Sequence, residues 1–199
     1  LDRTTTEMSG SGERESDGSR TSPFDLFMLE LNLPWERWCV LGRLGEKEKR
    51  ISLADLGLEK GNKYLLYEFW SDTFLGTVSD TIRFGSINPA WNCQLFCIRP
   101  AQPHPQVVAT SRHISCGATD LSGVAWDNNT LSGTSKPVPS VEYVLLVHEP
   151  SGYRSSGVTI TGGKLISNTR NGAVRRITMV NDDGGEISWK LDYRSGLNN

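Results

Sequence analysis

Short apolar runs, each followed by turn-forming residues, make up the chain from Pro23 onward. Within the runs, β-branched and aromatic residues alternate with polar residues, which is the period-two pattern of strands. In the first half of the chain this pattern predicts strands at 37–42, 49–53, 63–70, 73–78, 80–85 and 92–99. The segment 53–62, LADLGLEKGN, is the one place where a helical turn fits, and its short length makes it a connector.

A proline-rich segment, PAQPHPQ at 100–106, separates these strands from a second series. Proline cannot donate to a strand ladder and stiffens the backbone, so we interpret this segment as a semi-rigid joint. The second series predicts strands at 106–114, 118–127, 130–135, 141–150, 156–163, 164–170, 172–181 and 186–193. Strands recurring about every ten residues favour a sandwich or a barrel, and we predict an all-β protein with two tandem antiparallel β-sandwich domains, 23–100 and 104–199.

Two turns carry residues that tolerate a positive φ, as tight hairpins require. They are Asp127-Asn128-Asn129 and Asp182-Asp183-Gly184-Gly185. The second turn is expected to close a hairpin over 173–193, and its predicted apolar face consists of Ile177, Met179, Ile187, Trp189 and Leu191. Domains of about 80–95 residues are near the small end for independent stability, so we expect them to pack on each other or on another partner.

Residues 1–22 are rich in Ser, Thr, Gly and charged residues and contain almost no apolar ones. This composition is typical of a linker or a surface extension. The segment lacks the apolar core of a signal peptide, and the chain does not begin with Met. We therefore expect an upstream part to be missing, and the sequence leaves the cellular location open.

Charge and composition narrow the classes of partner. A formal net charge of -2 provides no basic field for nucleic acid or for an anionic membrane. No apolar run approaches the ~20 residues of a membrane-spanning helix. The sequence therefore predicts neither nucleic acid nor membrane as a partner.

The chain has four cysteines, Cys39, Cys93, Cys97 and Cys116. In one strand Cys93 and Cys97 would lie about 13 Å apart on the same face, which is too far for a disulfide. No pairs of Cys or His have the short spacing of a zinc site. Buried free thiols are predicted, with no metal and no cofactor.

The common catalytic motifs are missing from the sequence, including G-x-S-x-G, H-E-x-x-H, the P-loop and G-x-G-x-x-G. Asp127 precedes two asparagines, so it is predicted to start a turn rather than to act as a nucleophile. The oxygen-bearing run Asn181-Asp182-Asp183 lacks the regular ligand spacing of a known calcium loop.

Several spaced motifs in the first half resemble one enzyme family. Trp38-Cys39-Val40-Leu41-Gly42 matches the form W-x-V-x-G, and Leu53 to Leu58 matches L-x-x-L-G-L. Tyr64 to Trp70 and Phe74-Leu75-Gly76 follow in the same order as Y-x-x-Y-D-F-W and F-L-G. With SPFDLF before them, these motifs are similar to the C-terminal β-sandwich of bacterial α-galactosidase-like (melibiase-type) glycoside hydrolases.

The second half extends this resemblance through SRHISCGATDLSGVAWDNNTLSGTS at 111–135. It resembles the stretch that follows the sandwich in one bacterial branch of the family, and the whole resemblance covers about residues 22–153. At Arg43-Leu44-Gly45 the chain departs from the Asn-Trp pair that is usual in the family.

The resemblance implies a parent enzyme in which both catalytic carboxylates lie on a (β/α)8 barrel. A barrel takes ~250 residues of alternating strands and helices, and this chain lacks that alternation. The expected function is a non-catalytic accessory region that packs on or stabilises the barrel, inactive in hydrolysis on its own.

The alternative function is carbohydrate binding, because sugars stack their C–H faces on exposed aromatic rings. The chain has six Trp and five Tyr, although large aromatics in small sandwiches more often belong to the core. The candidate carbohydrate-binding residues are Trp126, Tyr153, Trp189, Arg112 and His113. For Arg112 and His113 a pair that satisfies backbone carbonyls at a strand end is the structural alternative. An exposed apolar patch on 23–100 would favour the accessory role, and two or three coplanar exposed aromatics would favour glycan binding.

Overall fold

The computed structural model describes residues 2–8, 26–44, 49–87, 90–112 and 114–195. Every strand pair among these residues is antiparallel, which confirms the predicted all-β fold class. The chain divides into two compact units, Leu1–Ala101 and Gln102–Asn199. The division falls within the proline-rich segment 100–106.

The first unit is built from two groups of strands. A six-stranded sheet has the order β1-β2-β3-β8-β5-β6, and β4 pairs with β7 in a separate ribbon. The strands described in this unit are β1 Asp2–Met8, β2 Leu26–Leu33, β3 Glu36–Arg43, β4 Lys49–Ser52, β5 Tyr64–Glu68, β6 Thr73–Val78, β7 Thr81–Phe84 and β8 Gln94–Pro100.

The core of the first unit contains apolar residues from one face of the large sheet and from the ribbon. Alternate positions of β2, β3, β5, β7 and β8 supply most of them, because successive side chains point to opposite faces, and the connector after β4 supplies Leu53 and Leu56. The core residues are Leu26, Met28, Cys39, Leu41, Leu53, Leu56, Tyr64, Leu66, Ile82, Phe84, Phe96 and Ile98.

The opposite face of the large sheet is also buried in its central strands. Trp38 and Val40 on β3 alternate with core residues, so four consecutive positions from Trp38 to Leu41 are buried. Arg99 on β8 is 1% exposed. Its guanidinium carbon lies 3.8 Å from the Trp38 ring centroid, and the guanidinium forms a salt bridge with Glu36. Such continuous apolar runs are typical of strands that are covered on both faces.

The connector after β4 is a run of turns rather than a helical turn. The amides of Leu56 and Leu58 both donate to the carbonyl of Leu53, and Gly57 donates to Ala54. Gly57 has a φ of 71°, a backbone conformation that glycine adopts without steric cost. Leu53 and Leu56 are buried, so the turns anchor this connector to the core.

The segment 1–22, predicted to be a linker or a surface extension, begins with a strand that the sequence pattern did not predict. Asp2–Met8 forms strand β1, paired with β2 from Asp2 opposite Asn32 to Met8 opposite Leu26. The pattern also missed β2. Threonine is β-branched and favours strands, but a polar strand such as DRTTTEM has no alternating apolar signal. The rest of the predicted linker, 9–22, lies outside the described residues.

The second unit is a sandwich of two four-stranded sheets. Their orders are β10-β11-β16-β13 and β14-β15-β12-β9. The strands described in this unit are β9 Gln106–Thr110, β10 Leu121–Asp127, β11 Thr130–Ser135, β12 Tyr143–His148, β13 Tyr153–Thr161, β14 Lys164–Asn171, β15 Val174–Val180 and β16 Ile187–Ser195.

The hairpin predicted over 173–193 is wrong, although its apolar residues are buried. Strand β15 pairs with β12 and β14, whereas β16 pairs with β11 and β13 in the other sheet. The six-residue connection 181–186 therefore crosses from one sheet to the other. The five residues predicted as one face are all at most 1% exposed and come from both sheets: Ile177, Met179, Ile187, Trp189 and Leu191.

The turn at Asp127-Asn128-Asn129 is confirmed. Asp127 pairs with Thr130, and the two asparagines between them have φ values of 46° and 61°. Two successive positive φ values give the hairpin turn whose twist matches that of the flanking strands.

Candidate functional site

Four rings of the second unit contact one another and are called the aromatic cluster below: His104, Trp126, Tyr153 and Tyr193. Trp126 is at the end of β10, Tyr153 begins β13, and Tyr193 lies on β16. The His104 ring is parallel to the Trp126 ring at a centroid distance of 5.0 Å. Tyr153 meets Trp126 edge to face at 5.5 Å, a favoured geometry for aromatic pairs.

The aromatic cluster is only partly open to solvent. The register places Trp126 opposite Leu131, which in turn lies opposite Leu191 on the next strand, and both leucines are buried. Tyr193 is 5% exposed, and Trp126, Tyr153 and His104 are half-buried. His104 Nδ1 lies 2.9 Å from the carbonyl oxygen of Pro105, which fixes the ring that covers one face of Trp126.

A buried ionic group lies beside Tyr193. Glu149 has a fully buried carboxylate, which pairs with Arg170 at 2.7 Å and with Arg175 at 2.5 Å. Arg175 also donates to the Asn168 side-chain oxygen at 2.7 Å. Burial, and then the nearby Glu149 charge, raises the pKa of Tyr193. The Tyr193 hydroxyl lies near the Glu149 carboxylate but does not form a hydrogen bond of good geometry with it.

The predicted carbohydrate-binding residues do not form one site. Trp126 and Tyr153 come together in the aromatic cluster. Trp189 does not belong to a binding surface, because it is 1% exposed and its indole N–H donates to Ser135 Oγ at 3.0 Å inside the core.

The other two predicted binding residues stand apart from those rings. Arg112 follows β9; its amide donates to Thr110 Oγ1 at 3.3 Å, and its carbonyl accepts from Cys116. His113 lies outside the described residues. In the sequence, a core tryptophan and a surface tryptophan have the same alternating neighbours, so the pattern could not separate Trp189 from Trp126.

The first unit also contains a cleft with a volume of about 360 Å³ that the sequence motifs did not indicate. One wall is the end of the β2–β3 hairpin, with Glu30, Asn32 and Arg37; the other is the loop 57–62, with Glu59 and Asn62. The apolar floor is formed by Leu58, Tyr64, Ile98 and Pro100, with Cys39 beside them.

The loop wall of the cleft is held by hydrogen bonds. The Tyr64 hydroxyl accepts from the Glu59 amide at 3.0 Å, and Asn62 Nδ2 donates to Glu59 Oε2 at 2.6 Å. The Cys39 thiol is buried, and desolvation followed by the charges of Cys97 and Glu30 raises its pKa to about 12. The thiol is therefore neutral near pH 7 and contributes apolar surface to the cleft rather than a nucleophile.

A second aromatic group lies in the first unit, where Trp91 stacks on Trp70 with a centroid distance of 5.1 Å and an interplanar angle of 18°. Trp91 is 48% exposed. Trp70 follows Glu68, whose buried carboxylate accepts from the amides of Trp70, Ser71 and Leu95 at 3.2, 2.6 and 3.0 Å. One carboxylate thus fixes the loop that supports the exposed tryptophan.

Three further acids of the second unit, Asp120, Asp127 and Asp192, have structural partners. Asp120 is buried and accepts from the Tyr143 hydroxyl at 2.6 Å. Burial and then the Asp120 charge raise the pKa of Tyr143 well above its usual range. Asp127 accepts from Asn128 at 2.9 Å, and Asp192 accepts from Thr130 at 2.9 Å.

The sequence predicts cysteines with free thiols and predicts that the acidic turn at 181–183 is not a calcium-binding loop. None of the four cysteines, all of which the structure describes, forms a disulfide; Cys39, Cys97 and Cys116 are buried, and the half-buried Cys93 precedes β8 rather than lying in it. In the acidic turn, Asn181 Oδ1 accepts from the Asp183 amide at 2.7 Å, as in an Asx turn. Across the described ranges, no group of three or more His, Cys, Asp or Glu is placed to hold a metal ion.

Comparison of the chain with known families, proteins and structures found no similar protein. No family model matches the chain, and no curated protein or solved structure matches it significantly. Among the described residues there is no helix with the length and apolar character needed to cross a membrane. The resemblance described from the sequence therefore rests on its own motifs.

Proposed function

We propose that this protein is a non-catalytic accessory β region of an α-galactosidase-like glycoside hydrolase and that it packs on the enzyme's (β/α)8 barrel. The family motifs support this proposal, since they occur in order in both units. The single observation that carries it is the exposed Trp91, which stacks on the half-buried Trp70 of a loop that the Glu68 carboxylate holds in place.

The state of the buried carboxylates supports a structural rather than a hydrolytic role. Retaining hydrolysis uses two carboxyl groups about 5–5.5 Å apart, one acting as nucleophile and the other exchanging protons with substrate and water. Glu68 is fully engaged with backbone amides, Asp120 with a tyrosine hydroxyl, and Glu149 with two arginines. Each is held by fixed donors, an arrangement that stabilises a charge rather than transferring a proton.

The exposed Trp91 has the character of an interface anchor. Tryptophan is enriched in protein interfaces, and a few such residues contribute most of the binding energy. Stacking on Trp70 fixes the ring of Trp91, so little side-chain entropy is lost when a partner covers it. In the sequence-based hypothesis, the exposed apolar surface of an accessory region lies in this same half of the chain.

Association with a barrel tests the proposal. The chain is mixed with a recombinant (β/α)8 barrel of a bacterial α-galactosidase-like enzyme whose own C-terminal β region has been deleted, and complex formation is followed by sedimentation velocity. We expect a one-to-one complex. Trp91→Ala should weaken it at least about tenfold, as loss of an interface anchor does. Val141→Ala, at a residue 51% exposed in the second unit, is the matched control and should leave binding unchanged.

A second measurement separates accessory from catalytic function. The purified chain alone is assayed with a chromogenic α-galactoside, and we expect no turnover above the buffer control. Turnover that co-purifies with the chain, or failure of every tested barrel to associate, would contradict the proposal.

Carbohydrate binding on exposed aromatics has less support in the second unit. His104 lies parallel on Trp126 and covers a ring face that a sugar would need, and Trp189 is buried.

A further inference from the structure

The cleft of the first unit combines an apolar floor with a polar rim at the size of a small ligand. Its volume of about 360 Å³ falls within the range of small-molecule sites, which is ~300–1,000 Å³. Arg37, Glu59 and Asn62 on the rim are exposed, so solvent reaches the cleft, while Tyr64 and Ile98 on the floor are buried.

The rim supplies hydrogen-bond donors and acceptors together. Glu30 and Glu59 accept, Arg37 donates, and the carboxamides of Asn32 and Asn62 do both. A hydroxyl group also donates and accepts, so a ligand bearing several hydroxyls can pair with every type of group on this rim. Two carboxylates against one guanidinium disfavour an anionic ligand.

The floor supplies the complementary surface. Leu58 and Pro100 are half-buried and border the cleft, and the neutral Cys39 thiol adds apolar surface. A hexopyranose presents a C–H face beside its ring of hydroxyls, which matches an apolar floor bounded by a polar rim.

Part of the site is organised before any ligand binds. The hydrogen bonds from the Glu59 amide to Tyr64 and from Asn62 to Glu59 hold the loop wall against β5. Preorganised polar groups cost less entropy when they bind a ligand.

We infer that the cleft between the β2–β3 hairpin and the loop 57–62 binds one neutral hexose unit of a carbohydrate. This inference does not depend on the proposed packing against a barrel. The cleft is thus a ligand site of the first unit that is separate from the stacked side chains of Trp70 and Trp91.

Titration by nuclear magnetic resonance tests the site. The ¹⁵N-labelled full chain is titrated separately with D-galactose, D-glucose, D-mannose and N-acetyl-D-glucosamine up to ~50 mM, because a ligand of hexose size is expected to bind with a dissociation constant on the order of 1 mM. At least one sugar should cause saturable shifts confined to amides of 30–39 and 57–64.

Three variants and a control locate the binding. Glu59→Ala and Asn62→Ala change exposed loop residues, and Glu30→Gln keeps the side-chain volume while removing a carboxylate; each should weaken binding about tenfold. The amide spectrum of each variant shows whether its fold is retained. Glu142→Ala removes an exposed carboxylate of the second unit and should leave the affinity unchanged.

Four outcomes would overturn the inference. They are no saturable shift with any of the four sugars, shifts centred on Trp126 and Tyr153 instead, affinity that the three folded cleft variants leave unchanged, and shifts in the cleft with the diamine putrescine but with none of the sugars. The last would show that the two carboxylates select a cation.

Discussion

Buried charges in this protein are each placed against several fixed partners. Arg99 lies between Glu36 and the Trp38 ring, and Glu149 lies between Arg170 and Arg175. A buried ion pair contributes little net stability, because its attraction must first offset the desolvation of both charges. Removing one partner is costly, however, since the other charge is left without its counterion.

Glu149→Gln tests that asymmetry in the second unit. The amide keeps the shape of the side chain but leaves two arginines without their carboxylate. We expect the free energy of unfolding in urea to fall by about 3 kcal/mol, the low end for a broken buried pair, because Arg170 retains 28% side-chain exposure. Glu142→Gln at an exposed carboxylate is the control, and its effect should stay within about 0.5 kcal/mol. Equal effects of the two variants would contradict a specific role of the buried group.

His148 makes stability depend on pH with a definite sign. Burial lowers its pKa from the usual 6.5, although the neighbouring Glu149 opposes this. As the pH falls below 6.5, His148 becomes protonated in the unfolded chain while it stays neutral in the folded chain. The contribution of His148 to the free energy of unfolding is therefore present above pH 6.5 and is lost as the pH falls toward the pKa in the folded state.

Urea unfolding of the wild type and His148→Gln at about pH 7.5 and about pH 5 measures this contribution, because only the wild type carries the histidine linkage. The wild type should lose more stability than the variant over this interval. An equal or larger loss in the variant would show that the folded state does not disfavour the charged imidazole.

At the scale of the elements, the packing of β11 against β16 depends on one small residue. Gly133 lies opposite Trp189, and a Cβ at Gly133 would stand 2.5 Å from Cζ2 of the indole ring. The indole is held in place by the hydrogen bond that its N–H donates to Ser135 Oγ on the same strand, β11. The ring therefore lies over a strand position that has no side chain, and the core there has no room for an added methyl group.

Gly133→Ala is expected to destabilise the protein by about 1–3 kcal/mol through overpacking. Gly157→Ala on β13 is the matched control, since a Cβ there meets no atom within 4 Å and the φ is not in the left-handed region. Urea denaturation of both variants compares the two strand positions. If Gly157→Ala costs as much as Gly133→Ala, the loss arises from the backbone and not from the indole contact.

Most strand positions were predictable from the sequence, but β1 and β2 were missed, and the predicted pairing of β15 with β16 was wrong. Alternation identified all of the strands β3 to β16, because each has a local apolar signal. The choice between a hairpin and a crossover at 181–186 depends on which sheet buries β16, and both arrangements bury Trp189 and Ile177 equally well. The tight turn at Asn128-Asn129 was predictable because its conformation requires two residues that tolerate positive φ.

At the scale of the whole molecule, the candidate sites could not be predicted from local sequence, because residues far apart in the chain form them together. The cleft joins Glu30 with Glu59, residues on separate walls that come together only because β3, β8 and β5 are neighbours in the sheet. Neither residue lies in a motif. Trp126 and Tyr153 were identifiable by residue type alone, but the His104 ring that covers Trp126 comes from the proline-rich segment.

The second unit has the features of an independently folding domain. Its two sheets enclose their own buried residues, including Leu145, Ile177, Trp189 and Leu191, each at most 1% exposed. Its buried carboxylates, Asp120 and Glu149, find their partners within the same unit. Domains of about 100 residues bury enough apolar surface to fold without a partner, although with a small margin.

We therefore expect the segment 102–199, expressed alone, to give a dispersed amide spectrum and a single cooperative urea transition. The loss of stability caused by Gly133→Ala in the full chain should recur in the segment within about 0.5 kcal/mol, because the contact with Trp189 lies inside this unit. A segment that is unfolded, or whose stability ignores Gly133→Ala, would mean that its core forms only with the rest of the chain. In that case the proline-rich segment would connect two parts of one folding unit rather than two domains.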